Sequence, residues 1–118
     1  MAKLAESEQC LKAIFFFPEE FVGFQGHFPG NKILPGVCQI ECVIAMLEIW
    51  KREGVALKEI IHAKFFSPVL PLEEISCECK DINKTDGEFI LSALLRRGDD
   101  KVSELKLRVC FTGKEIKT

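Results

Sequence analysis

The 118-residue chain predicts an α+β domain: one long central apolar helix held in the concave face of a curved antiparallel β-sheet. Three observations carry that prediction. Apolar residues recur at helical spacing from Val37 to about Arg52. Further on, apolar and polar residues alternate through three successive stretches between Ile75 and Phe111. Between an early aromatic run and the helix lies a segment dense in glycine and proline, where backbone shape is fixed locally. No repeat or linker divides residues 1–118, so the chain is read as one domain, with 1–9 and 114–118 expected to fray.

Taken in order, Cys10 to Phe17 is too short and too aromatic for a helix and is ended by Pro18, which makes it a strand. Glu19 to Gly23 is a brief turn or helical segment. The helix begins near Pro35 or Gly36, where proline is tolerated, and its apolar positions Ile40, Val43, Ile44 and Leu47 are joined by Met46, Ile49 and Trp50 on a second side. A helix this apolar requires a wrapping partner. Lys51 and Arg52 oppose the negative end of the helix dipole, and Gly54 supplies a stop.

Leu57 to Phe66 is a β-rich run ending at Pro68. Ile75, Cys77 and Cys79 then alternate with Ser76, Glu78 and Lys80, and residues 83–87 turn the chain through Asp86-Gly87. Phe89, Leu91, Ala93 and Leu95 form the next apolar face, residues 96–100 turn again, and Leu105, Leu107, Val109 and Phe111 complete an antiparallel meander with one polar and one apolar side. Such a sheet has open edges, and an edge strand can pair with a second copy.

Composition excludes several functions. A net charge of −2 without a dense Lys/Arg run offers nothing to a phosphate backbone, so no nucleic acid partner is expected. The longest apolar run, 33–50, is broken by Pro35-Gly36 and carries Gln39, Glu41 and Glu48; no membrane span is expected. The first nine residues lack the apolar core of a signal peptide, which predicts a cytoplasmic protein whose six cysteines stay reduced. Cys38 and Cys42 share a helix face and Cys77 and Cys79 a strand face, but regular elements seldom offer both pairs to one tetrahedral zinc. They are read as small core residues and no metal is expected.

The chemistry-bearing residues cluster around the Gly/Pro segment. His27, between Gly26 and Phe28-Pro29-Gly30, sits where an imidazole can stay neutral near pH 7 and accept a proton; a histidine in a tight turn can equally serve only as a hydrogen-bond partner. Glu41 interrupts the apolar helix about 7 Å along the axis from Gly36. Partly buried there it suits a general acid, while its stripe with Ala45, Glu48 and Arg52 reads as an ordinary polar edge. The Gly36 N–H at a helix start can stabilise negative charge developing on a carbonyl oxygen. Acid, base and oxyanion donor together suit proton abstraction beside a carbonyl. His62, between Ile61 and Ala63, is read as structural.

Gly26-His27-Phe28-Pro29-Gly30, Ile33-Leu34-Pro35-Gly36-Val37 and Gln39-Ile40-Glu41 resemble the signature of the hot-dog-fold 3-hydroxyacyl-acyl carrier protein dehydratases, including the fourteen-residue spacing from His27 to Glu41. Weaker similarity continues through residues 63–71. The resemblance implies a long helix wrapped by an antiparallel sheet and active sites at a dimer interface, in a homodimer or trimer of dimers. It implies His27 as the base that removes the α-proton of a (3R)-3-hydroxyacyl thioester, Glu41 from the partner chain as the acid, and the Gly36 N–H on the thioester carbonyl. Phe28, Pro35 and Val37 are implied to contact the substrate.

The implied substrate is carried on acyl carrier protein or coenzyme A, in fatty-acid or related lipid, polyketide or aryl-polyene synthesis. No cofactor is implied. An acyl-thioesterase and a non-catalytic acyl-binding subunit are the alternatives. Lys32 stands where these enzymes usually carry proline, Ala45 where many have glutamine, and Leu72 where glycine commonly follows the second proline.

Overall fold

A computed structural model describes residues 2–6, 10–21 and 33–115. The elements are β1 (Ala2–Glu6), β2 (Cys10–Phe16), α1 (Gly36–Lys51), β3 (Glu53–Phe65), β4 (Glu74–Thr85), β5 (Glu88–Arg97) and β6 (Asp100–Glu115). The strands form one antiparallel sheet in the order β1-β2-β4-β5-β6-β3, with α1 packed against it. The α+β layout expected from periodicity is present.

Alternation decides which side of each strand is buried. In β2, Leu11, Ala13 and Phe15 face the core while Lys12, Ile14 and Phe16 are exposed. Ile75, Cys77 and Cys79 in β4, Leu91, Ala93 and Leu95 in β5, and Leu105, Leu107 and Val109 in β6 continue that buried face. Against it α1 lays Gln39, Ile40, Cys42, Val43, Met46 and Leu47. Burial of Val43, Met46 and Leu47, each essentially complete, contributes about 1.5–3 kcal/mol per side chain, and Leu47→Ala would remove about 2–5 kcal/mol. The opposite side of α1 is open in the single chain: Val37 and Ile49 are exposed and Trp50 is half-buried, so the helix is covered on one side rather than enclosed.

Turn chemistry sets the meander's register. Asp86 and Gly87 both have positive φ, 50° and 80°, the requirement of a type I′ hairpin turn, and they join paired Thr85 and Glu88 directly. The turn is therefore two residues long, with 83–85 still in β4. Gly98, φ 61°, opens the second two-residue turn between paired Arg97 and Asp100.

Several details differ from expectation. Residues 2–6, expected to fray, pair their backbone with Leu11–Phe15 of β2. Lys114 and Glu115 extend β6, with Glu115 opposite Glu53; residues 116–118 lie outside the described residues. The helix stops at Arg52 in the left-handed region, φ 53°, and Gly54 instead belongs to β3, where a Cβ would lie 2.7 Å from Thr112 Oγ1. The strand after the helix begins at Glu53, not at Leu57, and crosses to the far edge of the sheet, where it pairs with β6.

The connection from β3 to β4 is tied down at several points. Phe66 N–H donates to the Val102 carbonyl at 2.8 Å, Leu34 N–H to the Val69 carbonyl at 2.8 Å, and Leu72 N–H to the Phe17 carbonyl at 2.9 Å. Arg97 donates to the Pro68 carbonyl at 2.8 Å and pairs with Glu73 at 3.2 Å. This loop and the start of α1 are thereby held side by side.

Candidate active site

Proline and glycine build the helix entry. Pro35 is the N-cap residue with φ −61° and ψ 149°, and it makes no side-chain cap. Its carbonyl accepts from Cys38 N–H at 3.0 Å and Gln39 N–H at 3.4 Å, which leaves the Gly36 and Val37 N–H groups without a backbone acceptor among the described residues. Both lie at the positive end of a helix dipole.

Beside this entry is a pocket of about 410 Å³ between the start of α1 and the end of β3. Ile33, Leu34, Gly36 and Gln39 wall it on one side, and residues 65–68 on the other. A Cβ at Gly36 would stand 2.8 Å from Phe65 Cζ, so only glycine lets the ring lie this close to the helix start. The lining is apolar apart from the backbone, Ser67 and Gln39.

Gln39 was not anticipated as a site residue. It is 3% exposed, and its Oε1 has no hydrogen-bond partner among the described residues. Its spacing to Val43 and Met46, four and seven residues on, could have placed it on the buried face from sequence.

The expected residues separate into groups. His27 and Phe28 lie outside the described residues. Gly36 walls the pocket and Pro35 precedes it. Glu41 and Val37, four apart, share the outward side of α1 and are both exposed; neither lines this pocket, and Glu41 lacks the partial burial expected of it in one copy. Glu48 Oε2, rather than forming only a surface edge, accepts the Val55 N–H at 3.0 Å and ties the helix to β3.

The cysteines sit in the core, in part. Cys42, Cys77 and Cys79 are buried, and Cys10, Cys38 and Cys110 half-buried. Burial pushes the Cys42 thiol up to about 12, and the hydrogen bond with Cys79 followed by burial lifts Cys77 well above the ordinary thiol value. Both are held protonated, the form in which a thiol packs and does not ligate. No cluster of three or more His, Cys, Asp or Glu among the described residues is placed to hold a metal. His62 is exposed on β3, opposite Lys106.

A family model for the ApeI-like dehydratases, ApeI dehydratase, matches residues 3–105. Among curated proteins, a 3-hydroxyacyl-[acyl-carrier-protein] dehydratase FabZ of Pediococcus pentosaceus is 36% identical over 96 residues, covering 75% of this chain and 63% of the relative. One from Ehrlichia chaffeensis is 38% identical over 71 residues, covering 56% and 48%. The matched regions thus span between about half and under two thirds of these relatives. Among solved structures, the dehydratase heterocomplex ApeI:P from Xenorhabdus doucetiae superposes with a TM-score of 0.75 at 19% identity, covering 93% of this chain and 98% of that one. With a family model spanning most of its length and a dehydratase signature that runs in sequence into α1, the chain belongs to the ApeI-like dehydratases, of the hot-dog 3-hydroxyacyl-acyl carrier protein dehydratase kind.

Proposed function

We propose that the chain eliminates water from (3R)-3-hydroxyacyl thioesters, carried on acyl carrier protein or coenzyme A, to give trans-2-enoyl thioesters. The observation that carries this reading is the pocket at the start of α1, where the Gly36 N–H has no backbone acceptor among the described residues and the opposite wall is aromatic. A thioester carbonyl oxygen placed on that N–H acquires a donor and the positive end of a dipole as its α-carbon becomes carbanionic. Ile33, Leu34, Phe65 and Phe66 supply apolar surface for an acyl chain.

In this reading His27 takes the α-proton. The electron pair left on the α-carbon forms the new carbon–carbon double bond, and the C3–O bond breaks as Glu41 gives its proton to the leaving hydroxyl, which departs as water. Phe28 and Pro35 contact the substrate, and Val37, which faces outward with Glu41, contacts it in the site of a second copy. The thioester acidifies the α-carbon itself, and the reaction draws on no metal or organic cofactor.

Glu41 is exposed on the outward side of α1, which supports its acting in the site of a second copy rather than in its own. The edge of β3, unpaired among the described residues and with Leu57, Ile60, Ile61 and Phe65 exposed along it, supports a homodimer built on that strand, alone or within a trimer of dimers. No helix among the described residues is long and apolar enough to cross a membrane, in keeping with a cytoplasmic setting.

Purified protein incubated with a (3R)-3-hydroxyacyl pantetheine thioester should generate the conjugated enoyl thioester, read by its ultraviolet absorbance. His27→Ala and Glu41→Gln should each lower turnover by about 10²–10⁴-fold. Free thiol released without enoyl product would replace the dehydratase with a thioesterase, and full turnover in both variants would remove the proposed acid and base. Light scattering across micromolar concentrations should give at least twice the single-chain mass.

A further inference from the structure

We propose that Gln39 selects a hydroxylated acyl chain, its side-chain carbonyl accepting the hydrogen bond of the substrate's 3-hydroxyl group. This rests on the dehydratase reading and assigns a residue to the recognition of the group that leaves.

Three observations converge on it. Gln39 is 3% exposed and its Oε1 has no partner among the described residues, an arrangement a fold retains at a loss of stability unless a donor arrives from elsewhere. The same residue walls the pocket that Gly36 walls. Finally, position 39 follows position 36 by three residues, about 4.5 Å along the helix, and helical side chains lean back toward the N-terminus. The carboxamide therefore lies over the turn whose first N–H would hold the thioester carbonyl.

Substrate geometry selects the donor. In a 3-hydroxyacyl thioester the hydroxyl is borne two carbons from the carbonyl carbon, so a carbonyl at Gly36 leaves the hydroxyl within one helical turn of its contact. A saturated acyl chain offers only C–H there and leaves the buried oxygen unmatched. Holding the O–H by its proton also leaves the lone pairs of that oxygen free for the acid that protonates it on departure.

The test uses amide analogues of pantetheine, with nitrogen replacing sulfur so that neither hydrolysis nor elimination intervenes. Binding of the (3R)-3-hydroxyoctanoyl and octanoyl amides is measured by calorimetry for the wild-type chain and for Gln39→Met, which keeps length and removes the acceptor. The wild-type chain should prefer the hydroxylated ligand by about tenfold or more, and Gln39→Met should bring the ratio to about one while octanoyl affinity stays within about twofold. An unchanged ratio in Gln39→Met, or no preference in the wild type, overturns the assignment.

Thermal unfolding without ligand adds a second readout. Gln39→Met should melt at or above the wild-type temperature; a lower midpoint means the oxygen has a structural partner and also overturns the assignment. Turnover of the matching thioester by the wild-type chain is followed in parallel. No turnover with an intact, Gln39-dependent preference removes the dehydratase reading alone, whereas turnover with a Gln39-independent preference removes this one alone.

Discussion

The ring of Phe65, at the end of β3, lies end-on against Gly36, the first residue of α1, so that a methyl group added to Gly36 would sit 2.8 Å from Cζ and 3.1 Å from one Cε. Phe65 is 47% exposed and free to swing outward, whereas the helix backbone is not. In Gly36→Ala the ring should therefore move, and the pocket should change shape with little penalty to folding. Alanine in place of glycine in a helix is itself favourable by about 0.5–1 kcal/mol. The expected outcome is a melting temperature equal to or slightly above wild type with turnover lowered by about 10–100-fold, since displacing a substrate by about an ångström carries that scale of penalty. A melt and a dehydration assay on one preparation check both signs.

Leu72 has φ 67° and is 60% exposed, in the loop that leads into β4. A side chain there carries about 1–2 kcal/mol of strain that glycine would not. Leu72→Gly should raise stability by up to about 1 kcal/mol after the entropy of glycine in the unfolded chain is deducted. Leu72→Val should lower it, because branching at Cβ worsens the same clash. Urea unfolding of the three proteins gives the ranking.

Glu78 lies between Lys80 Nζ at 2.9 Å and Lys12 Nζ at 3.2 Å. The hydrogen bond from Lys80 draws its carboxyl below the ordinary 4.5, partial burial opposes this, and Lys12 adds to the lowering. A carboxyl with a folded pKa below its unfolded one stabilises the fold fully above the unfolded value and loses that contribution as pH falls through the folded value. Wild type should therefore exceed Glu78→Gln in melting temperature at neutral pH, and the gap should close as pH drops from about 5 to about 3. A gap that widens toward acid would reverse the sign assigned to this pair.

The protonated, buried thiols predict selective labelling. At pH 7.5 iodoacetamide should modify only Cys10, Cys38 and Cys110 in the folded protein, and slowly at Cys10 and Cys38, whose thiols burial also raises. Cys42, Cys77 and Cys79 should react only after denaturation, which peptide mass spectrometry distinguishes.

Periodicity made α1 and the three meander strands legible because each buries one side, and burial imprints its spacing on the residue types. β1 was not legible: Ala2–Glu6 is held by backbone pairing, which leaves no such imprint. β3 was recognised as a strand but not placed, since its exposed stretch from Leu57 onward carries apolar groups on both sides. At the site, Pro35-Gly36 announced the helix start and its free donor. Gln39 was noted as a polar break in the apolar run and as part of the signature but not given a role in the site, although its spacing to Val43 places it on the buried face. Glu41 was assigned to the neighbourhood of Gly36 by distance along the axis and Val37 by the resemblance, and the angular position of both around the helix turns them outward.

The strand that comes last in sequence, β6, is interior to the sheet, flanked by β5 and by β3, and its register with β3 joins Glu53 to Glu115. During synthesis the helix and β3 leave the ribosome long before the strand that attaches them to the rest. Until residues 100–115 emerge, β3 touches α1 but lacks its pairing strand among the described residues, and the aromatic wall it gives the pocket lacks the sheet that positions it. Assembly of the pocket is thus tied to the emergence of residues 100–115 rather than to the appearance of the residues that line it, and a chain halted before β6 would carry the whole signature without the site.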